Sequence, residues 1–148
     1  MSVAEFGQWR YRVDRPATLE AYARQIVGGA AACTCNGCRN FVAARDEIFP
    51  ARFVEFLNTL GIDPTKDAEV YHTARIAPGR HHYGGWYHFI GTLDTTGDFA
   101  PVDFGHGFTA WLCTSSAPRI PTLSDRPVVQ VEFSTDRAPW VLEGSEPS

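Results

Sequence analysis

The spacing of apolar residues changes near the middle of the chain, and this change constrains the fold more than any other feature. In residues 50–60, Phe53, Leu57 and Leu60 recur at intervals of three and four, the period of a helix. From Glu69 onward, bulky and polar residues alternate with the period of two that is typical of strands. Helices followed by consecutive hairpins predict an α+β fold, with N-terminal helices packed on one face of a mainly antiparallel sheet formed by the second half of the chain.

The first predicted helix begins at Asp14, with Pro16 in its first turn. We expect it to end at Gly28-Gly29, because glycine adopts the left-handed conformation that often follows a helix. The apolar residues between these ends follow helical spacing and form a stripe predicted to face the core: Leu19, Tyr22, Ala23, Ile26 and Val27.

Two further helices are predicted before the change of period. One runs over residues 38–47, with Asn36 as its N-cap. The other runs over residues 50–60 and ends at Gly61, with Ile62 folding back on the last turn. Strands are predicted at residues 9–13, 69–76, 83–93, 99–104, 108–114 and 129–133.

Composition favours one independently folding domain. The chain has 148 residues, of which 44% are hydrophobic and 13% are aromatic. A chain of this length buries roughly 70% of its unfolded surface, which is enough for a core without disulfides. We assign residues 1–143 to a single α+β domain and residues 144–148 to a frayed C-terminal tail.

Charge and hydropathy limit the classes of function. The formal net charge is -4, and nucleic-acid-binding domains usually carry a basic excess, so no nucleic-acid partner is expected. No apolar run has the length of a membrane span, and the first residues lack the apolar core of a signal peptide. These features predict a cytoplasmic protein without a membrane partner, whose thiols stay reduced.

Three of the four cysteines lie within six residues, in the pattern C-x-C-x2-C formed by Cys33, Cys35 and Cys38. Thiolates are soft ligands that suit zinc, and reduced cysteine clusters indicate metal binding or catalysis before disulfides. A tetrahedral zinc site needs a fourth ligand. The candidates are a water molecule or one of three distant side chains: Cys113, His88 and His106.

Two other interpretations of the cysteines stay open. They can be small buried packing residues in a tight loop, since free cysteine is often buried. They can also form a reactive site, in which Cys35 and Cys38 are a redox pair or supply a nucleophile. Cys38 lies near a helix N-terminus and precedes Arg39, so the pattern predicts that its pKa is depressed. A sheet histidine such as His88 would then be the base.

Candidate ligand-binding residues fall on two segments. Trp86 and His88 are two residues apart on the predicted strand that contains the most aromatic residues, so their side chains share one face of the sheet. Arg39 and Asn40 directly follow the cysteine cluster. We expect an unknown small molecule or a protein to contact these residues, although a strand histidine is also satisfied easily by a neighbouring polar group.

Several segments resemble a family of small uncharacterised bacterial proteins. The similar segments are the C-x-C-x2-C-x-N-F stretch at residues 33–41, Phe49-Pro50, Leu60-Gly61-Ile62-Asp63, the YGGWYHFIG stretch at residues 83–91, Val131-Glu132-Phe133 and Pro139-Trp140-Val141-Leu142. The resemblance extends from Cys33 over most of the remaining chain. It implies a stand-alone domain and transfers no catalytic residue and no ligand.

Together these features favour a cytoplasmic binding domain of unknown ligand, with a structural zinc at Cys33, Cys35 and Cys38 that fixes the loop between two helices. The alternative is a thiol-dependent enzyme or redox protein that uses Cys35 and Cys38 with a sheet histidine.

Overall fold

The computed structural model describes residues 1–95, 97–114 and 117–147. Parts of the predicted hairpin loop at 94–98, of the loop at 115–126 and of the tail at 144–148 lie outside these residues. The helices are α1 (Arg15–Arg24), α2 (Gly29–Ala32), α3 (Asn36–Ile48) and α4 (Ala51–Leu60). The strands are β1 (Ser2–Phe6), β2 (Trp9–Val13), β3 (Glu69–Ala77), β4 (Arg80–Leu93), β5 (Val102–Asp103), β6 (Phe108–Cys113) and β7 (Val128–Ala138). The α+β class is confirmed.

The seven strands form one sheet in which every described pairing is antiparallel. The order is β1-β2-β4-β7-β6-β5, and β3 pairs with the first part of β4. The predicted antiparallel sheet is not formed purely by the second half of the chain, because the N-terminal hairpin β1–β2 extends it. The predicted strand at residues 99–104 is also shorter than expected, since only Val102–Asp103 pairs with a neighbour.

Strand β4 is the longest strand and holds the sheet together. One of its edges pairs with β7 from His81 to Ile90, while the other pairs with β3 near its start and with β2 near its end. Between these two partners, side chains of α1 complete the hydrogen bonding. The Tyr22 hydroxyl donates to the carbonyl of His88 and accepts from its amide, and the Thr18 hydroxyl accepts from the amide of Ile90. Helix α1 therefore takes the place of a strand along this edge.

This position of α1 overturns the predicted apolar stripe. Thr18, Ala21 and Tyr22 are the buried residues of the helix. Leu19 is 43% exposed, and Ile26 is 94% exposed because the helix already ends at Arg24. The buried face of α1 is therefore the one that carries the Thr18 and Tyr22 hydroxyl groups, which bond to the edge of β4. The start of α1 is as predicted. Asp14 precedes the helix as its N-cap, and its carboxylate accepts a hydrogen bond from the amide of Ala17.

Helices α3 and α4 cover the inner face of the sheet, which we define as the face that carries Tyr83, Tyr87 and Phe133. Their contact is a cluster of aromatic rings in the core: Phe41, Phe49, Phe53, Phe108 and Phe133. Helix α4 ends as predicted at Gly61, which has a φ of 84°, and the Ile62 amide bonds to the carbonyl of Leu57 at 3.1 Å. No helix in the described parts of the chain is long and apolar enough to cross a membrane.

The opposite, outer face of the sheet carries Trp86 and His88 of β4. Part of this face is covered by the segment before β7, where the Trp86 indole donates to the carbonyl of Pro118 at 2.9 Å. Ile120 and Leu123 of the same segment are buried. The fold thus has two covered faces, with helices on one and, over part of the other, a segment that contains a short 3-10 helix at Pro121–Leu123.

Candidate metal centre

The cysteine loop leaves helix α2, which lies unusually close to the backbone before β3. A Cβ atom on Gly28 would lie 2.7 Å from the Cα of Lys66, and one on Gly29 would lie 2.6 Å from the carbonyl oxygen of Ala68. The buried Asp67 accepts from the amide of Ala30 at 3.0 Å. Gly28 has a φ of -78° and is the N-cap of α2. The prediction that this glycine pair closes the first helix is therefore wrong; the pair permits close backbone approach.

The far end of the loop is fixed by the sheet. The Tyr83 hydroxyl donates to the carbonyl of Gly37 at 2.7 Å, and the Asn40 amide donates to that hydroxyl at 3.2 Å. Gly37 itself lies against β3, since a Cβ atom there would be 3.1 Å from the Cβ of His72. Both ends of the loop are thus held by buried contacts, which presents the intervening sulfurs in a defined arrangement.

The sulfurs of Cys33, Cys35 and Cys38 all lie within 4.8 Å of one another. The Sγ atoms of Cys33 and Cys35 are 3.3 Å apart. Four ligands at about 2.3 Å from a tetrahedral zinc ion are separated by about 3.8 Å from each other. The three thiols therefore occupy a volume of the size that a zinc ion needs, and this cluster can hold a metal ion.

Cys35 is the N-cap of α3, one residue before the predicted N-cap Asn36. Its sulfur accepts from the amide of Cys38 at 3.4 Å. This hydrogen bond and a second one from Cys33 lower the pKa of the exposed Cys35 thiol. Burial and its two sulfur neighbours raise the pKa of Cys38. The predicted depression of the Cys38 pKa is therefore wrong, and the pKa that is lowered is that of Cys35.

Among the described residues, no fourth protein ligand lies with the three cysteines. No histidine, cysteine or acidic side chain there has a ligand atom within 4.8 Å of all three sulfurs, and this includes the candidates Cys113, His88 and His106. A tetrahedral metal ion held by these three thiols would take its fourth ligand from elsewhere, for example from a water molecule or a bound molecule. Zinc sites with three protein ligands and one open position are typical of metals that bind a further molecule.

Arg39 lies at the edge of this centre, and two cavities of about 290 Å³ meet at its side chain. Its guanidinium donates to the side-chain carbonyl of Asn36 at 3.1 Å. One cavity contains Cys33 in its wall, and the other is bounded by the C-terminal segment. Leu142 lines both cavities. Arg39 and Cys33 therefore share the wall of one cavity.

The other predicted ligand-binding residues occupy different surroundings. Asn40 is buried, and its amide holds the C-terminal segment by bonds to the carbonyl of Pro139 and the amide of Val141. Trp86 and His88 lie on the outer face, opposite α3 and α4. His88 is buried beside Gln130, and burial lowers its pKa to about 4. The structure therefore does not bring Arg39 and Asn40 together with Trp86 and His88.

A chain of polar side chains beside the loop was not predicted. The Nε2 atom of His72 lies 2.8 Å from Nδ1 of His81, and Nε2 of His81 contacts the carboxylate of Glu146. The Trp140 ring packs on both histidines. Sequence patterns gave no signal for this group, because Glu146 lies in the tail and only the fold brings it to β3 and β4.

Comparison of the chain with protein-family models, with curated proteins and with solved structures finds no match. The resemblance noted from the sequence therefore stays a prediction. The fold and the site define the class of the protein as an α+β domain with a three-thiol cluster, and its function is argued from that geometry.

Proposed function

We propose that this protein is a zinc-binding domain in which Cys33, Cys35 and Cys38 ligate the metal and the fourth position accepts an external ligand. The observation that carries the proposal is the mutual distance of the three sulfurs, below 4.8 Å in a loop held at both ends. The lowered pKa of Cys35 also favours ligation, because metal binding requires the thiolate form.

The metal would stabilise a segment that has little secondary structure of its own. Helix α2 is a single turn of four residues, and Cys33 and Cys35 lie in the link between it and α3. Three Zn–S bonds would fix this link and the start of α3. The partner reached through the open position is a small molecule or a side chain of another protein. Arg39 is the candidate to contact it, because it follows Cys38 directly and shares a cavity wall with Cys33.

Protein purified without added metal is expected to contain about one zinc ion per chain, and Cys35→Ser is expected to lose it. At a free zinc concentration of about 100 times the Kd, binding adds about 2.7 kcal/mol to the free energy of unfolding. For a domain of this size the variant or a chelator should therefore lower Tm by about 5–10 °C. Elemental analysis and thermal unfolding with and without chelator measure both effects.

The matched control is Cys113→Ser, which removes the fourth cysteine of the chain. Cys113 is half-buried in β6 and lies outside the cluster. This variant should retain zinc and its response to chelator. Metal-free wild-type protein that melts at the same temperature with or without added zinc would refute the proposal. Equal loss of zinc in both variants would refute the assignment of the ligands.

The second candidate function is thiol chemistry at Cys35, and it is favoured by the exposure and lowered pKa of this side chain. The expected base His88 lies on the outer face, so this candidate depends on Cys35 itself. In metal-depleted protein, iodoacetamide is expected to alkylate Cys35 before Cys113 below neutral pH, because burial raises the pKa of Cys113. Peptide mass spectrometry over time measures the order. Equal, slow labelling of all four cysteines would exclude this function.

A further inference from the structure

The outer face carries a row of large side chains across three strands. Glu132 of β7 pairs directly with Trp86 of β4 on one side and with Trp111 of β6 on the other. Side chains of directly paired residues lie on the same face, with Cβ atoms about 4.5–5.5 Å apart. The side chain of Glu132 therefore leaves the sheet between those of the two tryptophans, and all three side chains are partly exposed.

Tyr71 of β3 adds a third ring to this row. A Cβ atom on Gly84 would lie 2.8 Å from Cε2 of Tyr71, so the tyrosine ring lies across β4 where glycine leaves room for it. The ring centroids of Tyr71 and Trp86 are 6.3 Å apart with an interplanar angle of 51°. Tyr71 is 37% exposed. Trp86 and Trp111 thus flank Glu132 from the two neighbouring strands, and Tyr71 lies on β3, the next strand beyond β4.

The carboxylate of Glu132 has no cationic partner among the described residues. Its hydrogen-bond donor is the amide of Gln130, at 2.7 Å. The side-chain oxygen of Gln130 accepts from Nε2 of His88 at 3.2 Å, and that buried imidazole, whose pKa is lowered to about 4, is neutral near pH 7. The guanidinium of Arg119 bonds to the carbonyls of Leu123 and Arg126. Desolvation raises the pKa of Glu132, as expected for a carboxylate without a counter-charge.

These groups share one electrostatic property. The faces of aromatic rings carry negative charge density and attract cations, most strongly when the cation is desolvated. An unpaired carboxylate between such rings adds a full negative charge. A neutral ligand, such as a sugar, would leave that charge uncompensated, whereas an alkylammonium group would neutralise it and contact the rings at the same time.

We propose that Trp86, Trp111, Tyr71 and Glu132 form a binding site for an alkylammonium ligand on the outer face of the sheet. The rings contact the methyl or methylene groups of the ligand, and the carboxylate supplies the counter-charge. This site is independent of the zinc centre, because it lies on the other side of the sheet from α3.

Choline is the probe, and 3,3-dimethyl-1-butanol, which has the same shape without the charge, is its neutral control. The indole N–H signals of the zinc-loaded protein are followed by NMR during titration, with potassium chloride used to match ionic strength. Choline is expected to shift the signals of Trp86 and Trp111 with a Kd on the order of 1–10 mM, while the signals of Trp9 and Trp140 stay in place. Single Trp→Phe variants assign the four signals.

Glu132→Gln keeps the shape of the side chain and is expected to weaken choline binding about tenfold. The control Glu55→Gln removes an exposed carboxylate on α4 and should leave the Kd unchanged. Cys35→Ser should also leave it unchanged, which separates this site from the zinc centre. Absence of shifts up to about 100 mM choline, equal shifts with the neutral isostere, or an unchanged Kd in Glu132→Gln would each overturn the proposal.

Discussion

Gly91→Ala is expected to detach the N-terminal hairpin from the sheet and to lower the free energy of unfolding by more than about 3 kcal/mol. A Cβ atom at this position would overlap the carbonyl oxygen of Arg12 and would lie 3.2 Å from a ring carbon of Phe89. Both neighbours are fixed, one as backbone of β2 and the other as a fully buried ring. The added methyl group can be accommodated only if β2 moves away from β4.

That movement has a large effect because few residue pairs attach the hairpin. Strand β2 pairs with β4 at three positions, Tyr11–Leu93, Arg12–Thr92 and Val13–Gly91, and the only strand that β1 pairs with among the described residues is β2. Chemical denaturation monitored by circular dichroism measures the loss. Thr92→Ala, at the exposed neighbouring position, is the control and should change stability by less than about 0.5 kcal/mol. Similar stabilities of the two variants would show that β2 and β4 tolerate the separation.

Asn40→Ala is expected to cost about 3 kcal/mol of stability and to weaken zinc binding as well. The side chain is fully buried and makes three hydrogen bonds, to the Tyr83 hydroxyl, the Pro139 carbonyl and the Val141 amide. Each such bond contributes about 1 kcal/mol net. Their loss releases the C-terminal segment beside the metal centre and one support of the loop, so stability and metal affinity should fall together.

Asn58→Ala on α4 is the control for this variant, since Asn58 is exposed and its side chain lies away from the loop. Denaturant unfolding gives the stability of both variants, and competition with a zinc chelator gives their metal affinity. A destabilised Asn40→Ala protein with the wild-type zinc affinity would show that the loop is held without this amide.

The elements that were predicted well are those in which local chemistry and tertiary packing agree. Helix α4 has a strong apolar face with Phe53, Leu57 and Leu60 buried, and Gly61 ends it in the left-handed conformation. Strand β4 alternates as predicted, with Trp86 and His88 on the face opposite Tyr87. In such segments the same residues decide both the secondary structure and the direction of burial.

Helix α1 was located but its orientation was wrong, and the reason is physical. Its buried face is selected by unpaired amides and carbonyls of β4, which need hydroxyl groups rather than apolar side chains. Apolar periodicity carries no information about such a requirement. The use of Cys35 as an N-cap was missed for a related reason, because cysteine is not among the residues that usually cap helices.

The two candidate sites also differ in whether the sequence alone could predict them. The proximity of Cys33, Cys35 and Cys38 follows from their spacing in the sequence, so the thiol cluster was predictable. The alkylammonium site depends on strand register, which places Glu132 beside Trp86 and Trp111 from two distant segments. Turn lengths and the covering segment set that register, and the sequence alone did not specify it.

The hydroxyl groups of Thr18 and Tyr22 also have a consequence for self-association. An unpaired stretch of strand edge is a template on which another chain can add a strand. Between its pairings with β3 and β2, the edge of β4 at His88 and Ile90 would be such a template. Because α1 occupies those donors and acceptors, a second molecule finds no backbone groups to pair with there, and the helix protects the centre of the sheet against aggregation.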